Sequence, residues 1–316
     1  MDFFETILWP LRWLVESVLV LWHQLFAWLG MDPAGGLTWV LAILGVVVVV
    51  RSALIPLTVR QIKSQRRMMD MAPQLKKVQD KYKGKKDQFS REAMSRETMA
   101  LYKKHGTNPF ASCLPILLQM PVFFSLFYVL RHASDNKPGI GLMNESLTAS
   151  FNAASVFGAP LKMTFTQGWE AGQAPVVIML GIIVILMIAS QFFTQLQIVS
   201  KNVSDETKQS PMYRQQKIML YIIPFMFLFS GVAFPLALNI YWFSSNIWTM
   251  AQQFIVIRNM PTPGSDAYRA RQGRLRAKGK LTDDATPEEV AEAARQVGQR
   301  QQPVSAKRAK KGGKKA

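Results

Sequence analysis

Residues 46–58 read VVVVVRSALIPLT, five valines running into Arg51 before the apolar text resumes. They lie within residues 37–59, an apolar stretch whose one charge is Arg51. About 20 helical residues cross a hydrocarbon core of ~30 Å, so this stretch has the length of a membrane span. Arg51 stands nine residues before Arg60. At 1.5 Å per residue that is ~13 Å from the charged end, close to mid-membrane. An arginine facing lipid there costs roughly 2.5–3.5 kcal/mol on insertion scales, and snorkelling relieves it only in part. Arg51 is therefore expected to face a bundle interior or a wet cavity.

The rest of the chain supplies such a bundle. Of its 316 residues, 49% are hydrophobic, yet mean hydropathy is only +0.08, so the apolar residues are concentrated in blocks. The blocks predict five spans, at 37–59, 113–130, 174–195, 218–234 and 238–257. The last two, joined by a short turn around Phe234-Pro235, make one helical hairpin over 218–257. The formal charge of +18 is uneven: loop 60–112 holds fourteen Lys/Arg, loop 131–173 three, loop 196–217 four, and residues 258–316 fifteen. The positive-inside bias places 60–112, 196–217 and the tail in the cytoplasm, with residues 1–36 and loop 131–173 outside. The fold class expected is an all-α polytopic membrane protein, a five-span bundle with a cytoplasmic helical hairpin.

Three flanking segments carry patterns of their own. Glu5, Arg12, Glu16 and His23 are spaced 7, 4 and 7 and fall on one narrow face. That spacing predicts an amphipathic helix in the outer interface, with a true span bearing a polar seam as the alternative. The segment makes a poor signal peptide, since it lacks a basic start and an A-x-A site. In loop 60–112, Met68, Met71, Leu75, Val78 and Tyr82 form one stripe and Met94, Thr98, Leu101 and His105 another, either side of Gly84-Lys-Lys-Asp87. Two narrow stripes and a turn predict a basic antiparallel hairpin, with the first span ending or bending just before Pro73. From Met260 the basic tail lacks aromatics beyond Tyr268 and is predicted disordered save for a helix at 287–302. Trp169 is read as the return of the outer loop to the interface.

Chemistry of the catalytic kind has little to stand on. Cys113 is the one cysteine, and His23, His105 and His132 are far apart. No metal cluster, nucleophile–base pair or nucleotide loop is visible, so neither an enzyme nor a cofactor is expected. The five spans contain no Asp or Glu, which leaves Arg51 without a fixed counter-charge. Its available company is neutral: Gln119, Ser190, Gln191, Thr194, Gln195, Asn239, Ser244, Ser245 and Asn246, with Tyr241 and Trp242 able to add hydrogen bonds or a cation–π face. An isolated cation among such groups suits water and a transient anionic visitor. Two functions fit: a small-anion transporter or channel, and a protein that handles acidic or polar polypeptide segments as they cross. A transporter should show internal repeats. None is visible, and the basic hairpin and tail would be left without a role.

Six ordered pieces carry a family resemblance: Arg51-Ser-Ala-Leu-Ile-Pro-Leu-Thr58, Gln61–Gln65, Met71-Ala-Pro-Gln through Gln79, Leu101-Tyr-Lys-Lys-His-Gly-Thr-Asn-Pro109, Cys113-Leu-Pro-Ile-Leu-Leu-Gln-Met-Pro121, and Phe234-Pro through Tyr241-Trp242 to Ser245-Asn246. Over residues 37–257 the chain resembles the YidC/Oxa/Albino membrane protein insertases, of the Gram-positive-like branch without a large outer domain. It departs from the family at Ser112 and at Leu236-Ala237, where glycine-containing pairs are usual. The resemblance implies a bacterial plasma membrane protein with a hydrophilic groove open to the cytoplasm and to lipid. Arg51 matches the groove arginine, and Tyr241 and Trp242 match the aromatic positions of the last span. Gln119, Asn246 and one of Gln191 and Gln195 complete the expected wall. Lys76, Lys77, Lys81, Lys83, Lys85 and Lys86 fall on the hairpin thought to receive substrates. Arg269, Arg271, Arg274, Arg276, Lys307, Arg308, Lys310, Lys311, Lys314 and Lys315 fall on a tail of the kind that contacts ribosomes. The partners implied are nascent membrane proteins, the ribosome and anionic lipids; a Sec translocon is a partner the resemblance leaves open.

Overall fold

A computed structural model describes residues 6–85, 87–106, 114–205, 207–209 and 211–279. Within them the chain runs α1 (Trp9–Trp28), α2 (Gly36–Lys81), α3 (Gln88–Lys104), α4 (Leu114–Ser134) and α5 (Glu145–Ala153). A two-strand hairpin, β1 (Ser155–Val156) and β2 (Ala159–Pro160), leads into α6 (Phe165–Glu170) and α7 (Ala174–Lys201). A 3-10 turn at Thr207–Gln209 precedes α8 (Pro211–Ala233), α9 (Leu236–Asn259) and α10 (Asp266–Ala277). Among the described residues three stretches are long and apolar enough to cross a membrane: Gly36–Ile62, Ala174–Lys201 and Gln216–Ala233. At 24 residues α9 has the length, but Asn239, Ser244, Ser245, Asn246, Gln252 and Gln253 dilute its apolarity.

The long helices pack around α7 and α9. α7 lies along both α8 and α9, α9 reaches across to α2, and α1 lies on α2 and α4. Leu180, Met187, Leu126, Ile43 and Leu236 are fully buried where these helices meet. Gly231 lets α8 approach α7, since a Cβ there would sit 2.0 Å from Val184 Cγ2. The segments around α5, the β-hairpin and α6 cap one end. Met143, Phe151 and Leu161 in this cap are buried. The cap is stitched to the start of α9: the N–H groups of Leu236 and Ala237 donate to the carbonyls of Met163 and Leu161, each at 2.9 Å. Both side chains are fully buried.

α1 turns its polar face inward, against the cap. Arg12, Glu16 and His23 are 3%, 1% and 1% exposed, whereas Trp9, Trp13, Leu14, Leu21 and Trp28 stand outward. The reason is that the cap provides partners. The Glu16 carboxylate accepts from the N–H groups of Ile140, Gly141 and Met143 at 2.9, 2.7 and 3.0 Å. His23 Nε2 donates to Pro33 O at 2.9 Å. Arg12 Nη2 donates to His132 Nδ1 at 3.1 Å and its guanidinium lies over the Tyr128 ring. Glu5 lies outside the described residues.

The first helix does not end before Pro73. α2 runs 46 residues with Pro56 and Pro73 inside it, ~70 Å at 1.5 Å per residue. A helix-interior proline costs one hydrogen bond and a ring clash, ~3 kcal/mol. Met68 and Met71, five and two residues before Pro73, are buried, and their burial holds this part of the helix in place.

α3 folds back along the end of α2. Asp87 caps it, accepting from Ser90 N at 2.8 Å. Glu97 receives Lys81 Nζ at 2.5 Å and the Tyr82 hydroxyl at 2.8 Å. Leu75, Val78, Met94 and Leu101 along the seam are half-buried, and α3 buries no residue fully.

The start of the tail is ordered, contrary to the disorder predicted from Met260. Thr262 and Ser265 are buried. Thr262 N donates to Asn202 Oδ1 at 2.9 Å, and Ser265 caps α10. Asp205 bridges Lys208 and Arg269, at 2.7 and 3.1 Å. Low aromatic content misled here because α10 needs no core of its own: it docks on the α7–α8 connection. The helix predicted at 287–302 lies outside the described residues.

Two predictions follow from these contacts. Glu16→Ala leaves three backbone donors without their acceptor and should destabilise the fold by on the order of 3 kcal/mol. Thermal unfolding in detergent, with faster hydrogen exchange at 140–143, would register it. The hairpin should respond to pH. The Ser90 N–H lowers the Asp87 pKa, and the Lys81 hydrogen bond lowers that of Glu97. The Glu97 hydrogen bond raises that of Lys81. The Glu97 carboxylate thus stabilises closure above its ordinary value, 4.5, and Asp87 stabilises the cap of α3 above 3.8, each less as pH falls through its depressed value. Lys81 contributes below 10.5 and less as pH rises through its elevated value. Spin-label distances between α2 and α3 should be constant between those limits and broaden outside them, and Glu97→Gln should broaden them at neutral pH.

Candidate functional site

Two helices converge on one stripe of α9. From α2, Arg51 donates through Nε and Nη2 to Ser245 Oγ, at 3.1 and 2.5 Å. From α4, Gln119 Nε2 donates to the Tyr241 hydroxyl at 2.7 Å. Tyr241 and Ser245 are four residues apart and share a face. They are 1% and 4% exposed, while Arg51 and Gln119 are half-buried. Among the described residues no carboxylate pairs with Arg51. Two of its five N–H donors meet one neutral hydroxyl, and the others remain for a ligand or water. Nearby in sequence on α9, the Asn246 Nδ2 is buried without a hydrogen-bond partner.

The structure sorts the polar residues that sequence could only list. Ser190, Thr194 and Ser244 bond back to the carbonyls of Met187, Ser190 and Ile240 in their own helices. Asn239 donates to Phe234 O and Pro235 O, fixing the turn between α8 and α9. Trp242 is an aromatic packing residue: its ring stacks on Phe123 at 4.9 Å and meets Phe234 edge-on at 5.2 Å. Gln191 and Gln195 are both half-buried on α7.

Two polar residues were missed. Gln197 and Gln253 face a cleft of about 230 Å³ between α7 and α9, with Phe193, Thr194, Met250 and Phe254. Gln197 is carried by α7, which continues past the expected span end at 195 to Lys201. It follows Ser190 and Thr194 at helical spacing, and that was the available signal.

The basic clusters separate from this seam. Lys76, Lys77, Lys81, Lys83 and Lys85 lie on the hairpin, with Lys81 and Lys85 over the Tyr82 ring; Lys86 is outside the described residues. Of the tail arginines, Arg269 is engaged by Asp205 and Asp266. Arg274 Nη2 donates to Arg258 O at 3.1 Å, and Arg271 and Arg276 are also on α10. Lys307, Arg308, Lys310, Lys311, Lys314 and Lys315 lie outside the described residues.

The seam falls within a recognised family region: the family model described as "60Kd inner membrane protein" matches residues 30–263. The chain belongs to the 60Kd inner membrane protein family. Curated relatives in this family include the "Membrane protein insertase YidC" of Tropheryma whipplei strain Twist, 42% identical over 98% of each chain. That of Bifidobacterium longum is 38% identical, over 98% of this chain and 96% of the relative. These relatives are actinobacterial, of the Gram-positive type. The solved "Active YidC insertase crystal structure with the first transmembrane domain resolved" aligns at 23% identity with a TM-score of 0.47, covering 80% of this chain and 47% of that one. Like its relatives, this family member is a membrane protein.

The Arg51–Ser245 contact has a non-additivity signature. Ser245→Ala should destabilise by ~1–2 kcal/mol in detergent, and Arg51→Ala/Ser245→Ala by little more than Arg51→Ala alone. Thermal melts of the three variants test this; fully additive losses would mean the pair does not interact.

Proposed function

We propose that this chain is a membrane protein insertase that admits short acidic or polar segments of nascent proteins into a wet groove beside Arg51. The observation that carries the reading is Arg51 itself, held near mid-span by a neutral serine and paired with no carboxylate among the described residues. The names of the curated relatives support it. In this reading α2, α4, α7, α8 and α9 are five spans in a bacterial plasma membrane, with α3, α10 and the C-terminus in the cytoplasm. Arg51, Gln119, Tyr241 and Asn246 line the groove, Gln191 or Gln195 closes it from α7, and Trp242 braces the wall from behind.

The mechanism needs no nucleotide. A hydrophobic segment meets the basic hairpin, whose thin seam lets it move. The short flank of the segment enters the groove and is attracted by Arg51 across a reduced thickness of hydrocarbon. Burial of the segment in lipid supplies ~0.8 kcal/mol per CH₂. Over a span this exceeds the cost of moving one or two charges, which water and Arg51 already lower. The basic tail beyond α10 tethers the ribosome or anionic headgroups by charge.

Proteoliposomes containing the purified chain alone provide the test. Integration of a single-span protein with an acidic translocated tail should fall at least ~10-fold in Arg51→Ala, a loss of ~1.4 kcal/mol of driving force, and be largely kept in Arg51→Lys. Equal activity of the alanine variant would refute charge attraction. Flux of small anions through the same vesicles without protein integration would instead favour a transporter.

A further inference from the structure

The β-hairpin of the cap holds a phenylalanine where the backbone disfavours one. β1 and β2 pair Ser155 with Pro160 and Val156 with Ala159, so Phe157 and Gly158 form the two-residue turn. Their φ angles are +51° and +79°, the left-handed pair that tight hairpins demand and that Asn-Gly satisfies with least strain. The Phe157 ring is 89% exposed, so packing within the chain does not offset the strain.

The surroundings of the ring indicate what does. It borders an apolar cleft of about 520 Å³ formed with Ala174, Pro175, Ile178, Met179 and Ile182, in the first turns of α7. Trp169, 71% exposed, borders a second cleft that shares Ala174 and Ile178. Residues 174, 178 and 182 form one ridge of the helix. The ridge continues into an exposed strip, with Ile178, Ile182 and Ile185 at 60%, 51% and 67%. α7 is one of the membrane-length helices, so this strip is its lipid-facing side. Two aromatic rings flank the strip where the helix starts, the level at which aromatic side chains anchor proteins to the membrane–water interface.

We propose that Phe157, Trp169 and the Ala174–Ile178–Ile182 ridge form a phospholipid site, with one acyl chain lying along the ridge between the two rings. Lipid is the occupant because the ridge runs unbroken into the lipid face of α7. The residues of the larger cleft also offer no side-chain hydrogen bond or charge by which a protein partner would be chosen. The site stands apart from the Arg51 seam and does not depend on the insertase reading.

Depth measurements on the full chain in phospholipid nanodiscs test it. With Cys113→Ser as background, spin labels are placed one at a time at Phe157→Cys, Trp169→Cys and, as a control, Glu170→Cys. At 157 and 169, collisions with oxygen should exceed those with a water-soluble nickel chelate, with the order reversed at 170. A water-exposed label at 157 overturns the proposal, and so does one shielded from both probes, which would mark a protein contact. A second variant guards against misfolding. Phe157→Asn suits the turn and removes the ring, so it should melt in detergent no lower than the parent but retain less phospholipid by native mass spectrometry. Unchanged retention in Phe157→Asn/Trp169→Ala also overturns it.

Discussion

Arg51 donates two hydrogen bonds to a single serine hydroxyl near the middle of a membrane-length helix, and the bundle is built so that it can. A guanidinium at that depth needs a partner, and the partner must come from another helix. Ser245 reaches it because α9 crosses from α7 to α2 with Tyr241 and Ser245 on one face. The same face receives Gln119 from α4, so one polar stripe joins three helices. A carboxylate in place of the serine would bind the charge permanently and leave no attraction for a visiting anion. A neutral acceptor holds the side chain in place and leaves most of its field unspent.

That stripe requires α9 to be set at a fixed height and rotation. Asn239 closes the turn that leads into α9, and the cap accepts hydrogen bonds from the backbone of Leu236 and Ala237. The cap is held in turn by the carboxylate of Glu16 on α1. A buried charge far from the seam therefore helps to position it. At the opposite end the hairpin is fastened by exposed pairs, whose contribution is small, and it buries no α3 residue fully. Rigid packing around the arginine and loose attachment of the basic hairpin agree with the proposed reception of varied segments beside one fixed charge.

Much of this was legible in the residues. The apolar blocks, the isolated Arg51 and the absence of acids from the spans follow from composition and periodicity alone, and the hairpin follows from its two stripes and Gly84. Other features depended on neighbours distant in sequence. The inward turn of the polar face of α1 required knowing that residues 140–143 would offer three N–H groups. The passage of α2 through Pro73 depended on burial of Met68 and Met71. The folding of residues 261–277 depended on Asn202 and Asp205, which lie about sixty positions upstream.

By itself the sequence determined that this is a helical membrane protein carrying one mid-span cation and strongly basic flanks, because solvation energies act on each segment separately. Only the tertiary structure decided which of nine neutral polar residues and two aromatics meet that cation. Ser190, Thr194 and Ser244 could satisfy themselves on their own helices, Asn239 on its own turn, and Trp242 against Phe123. Ser245 meets the guanidinium, and Tyr241 completes the stripe with Gln119. Helix rotation and crossing, which no local pattern encodes, made that selection.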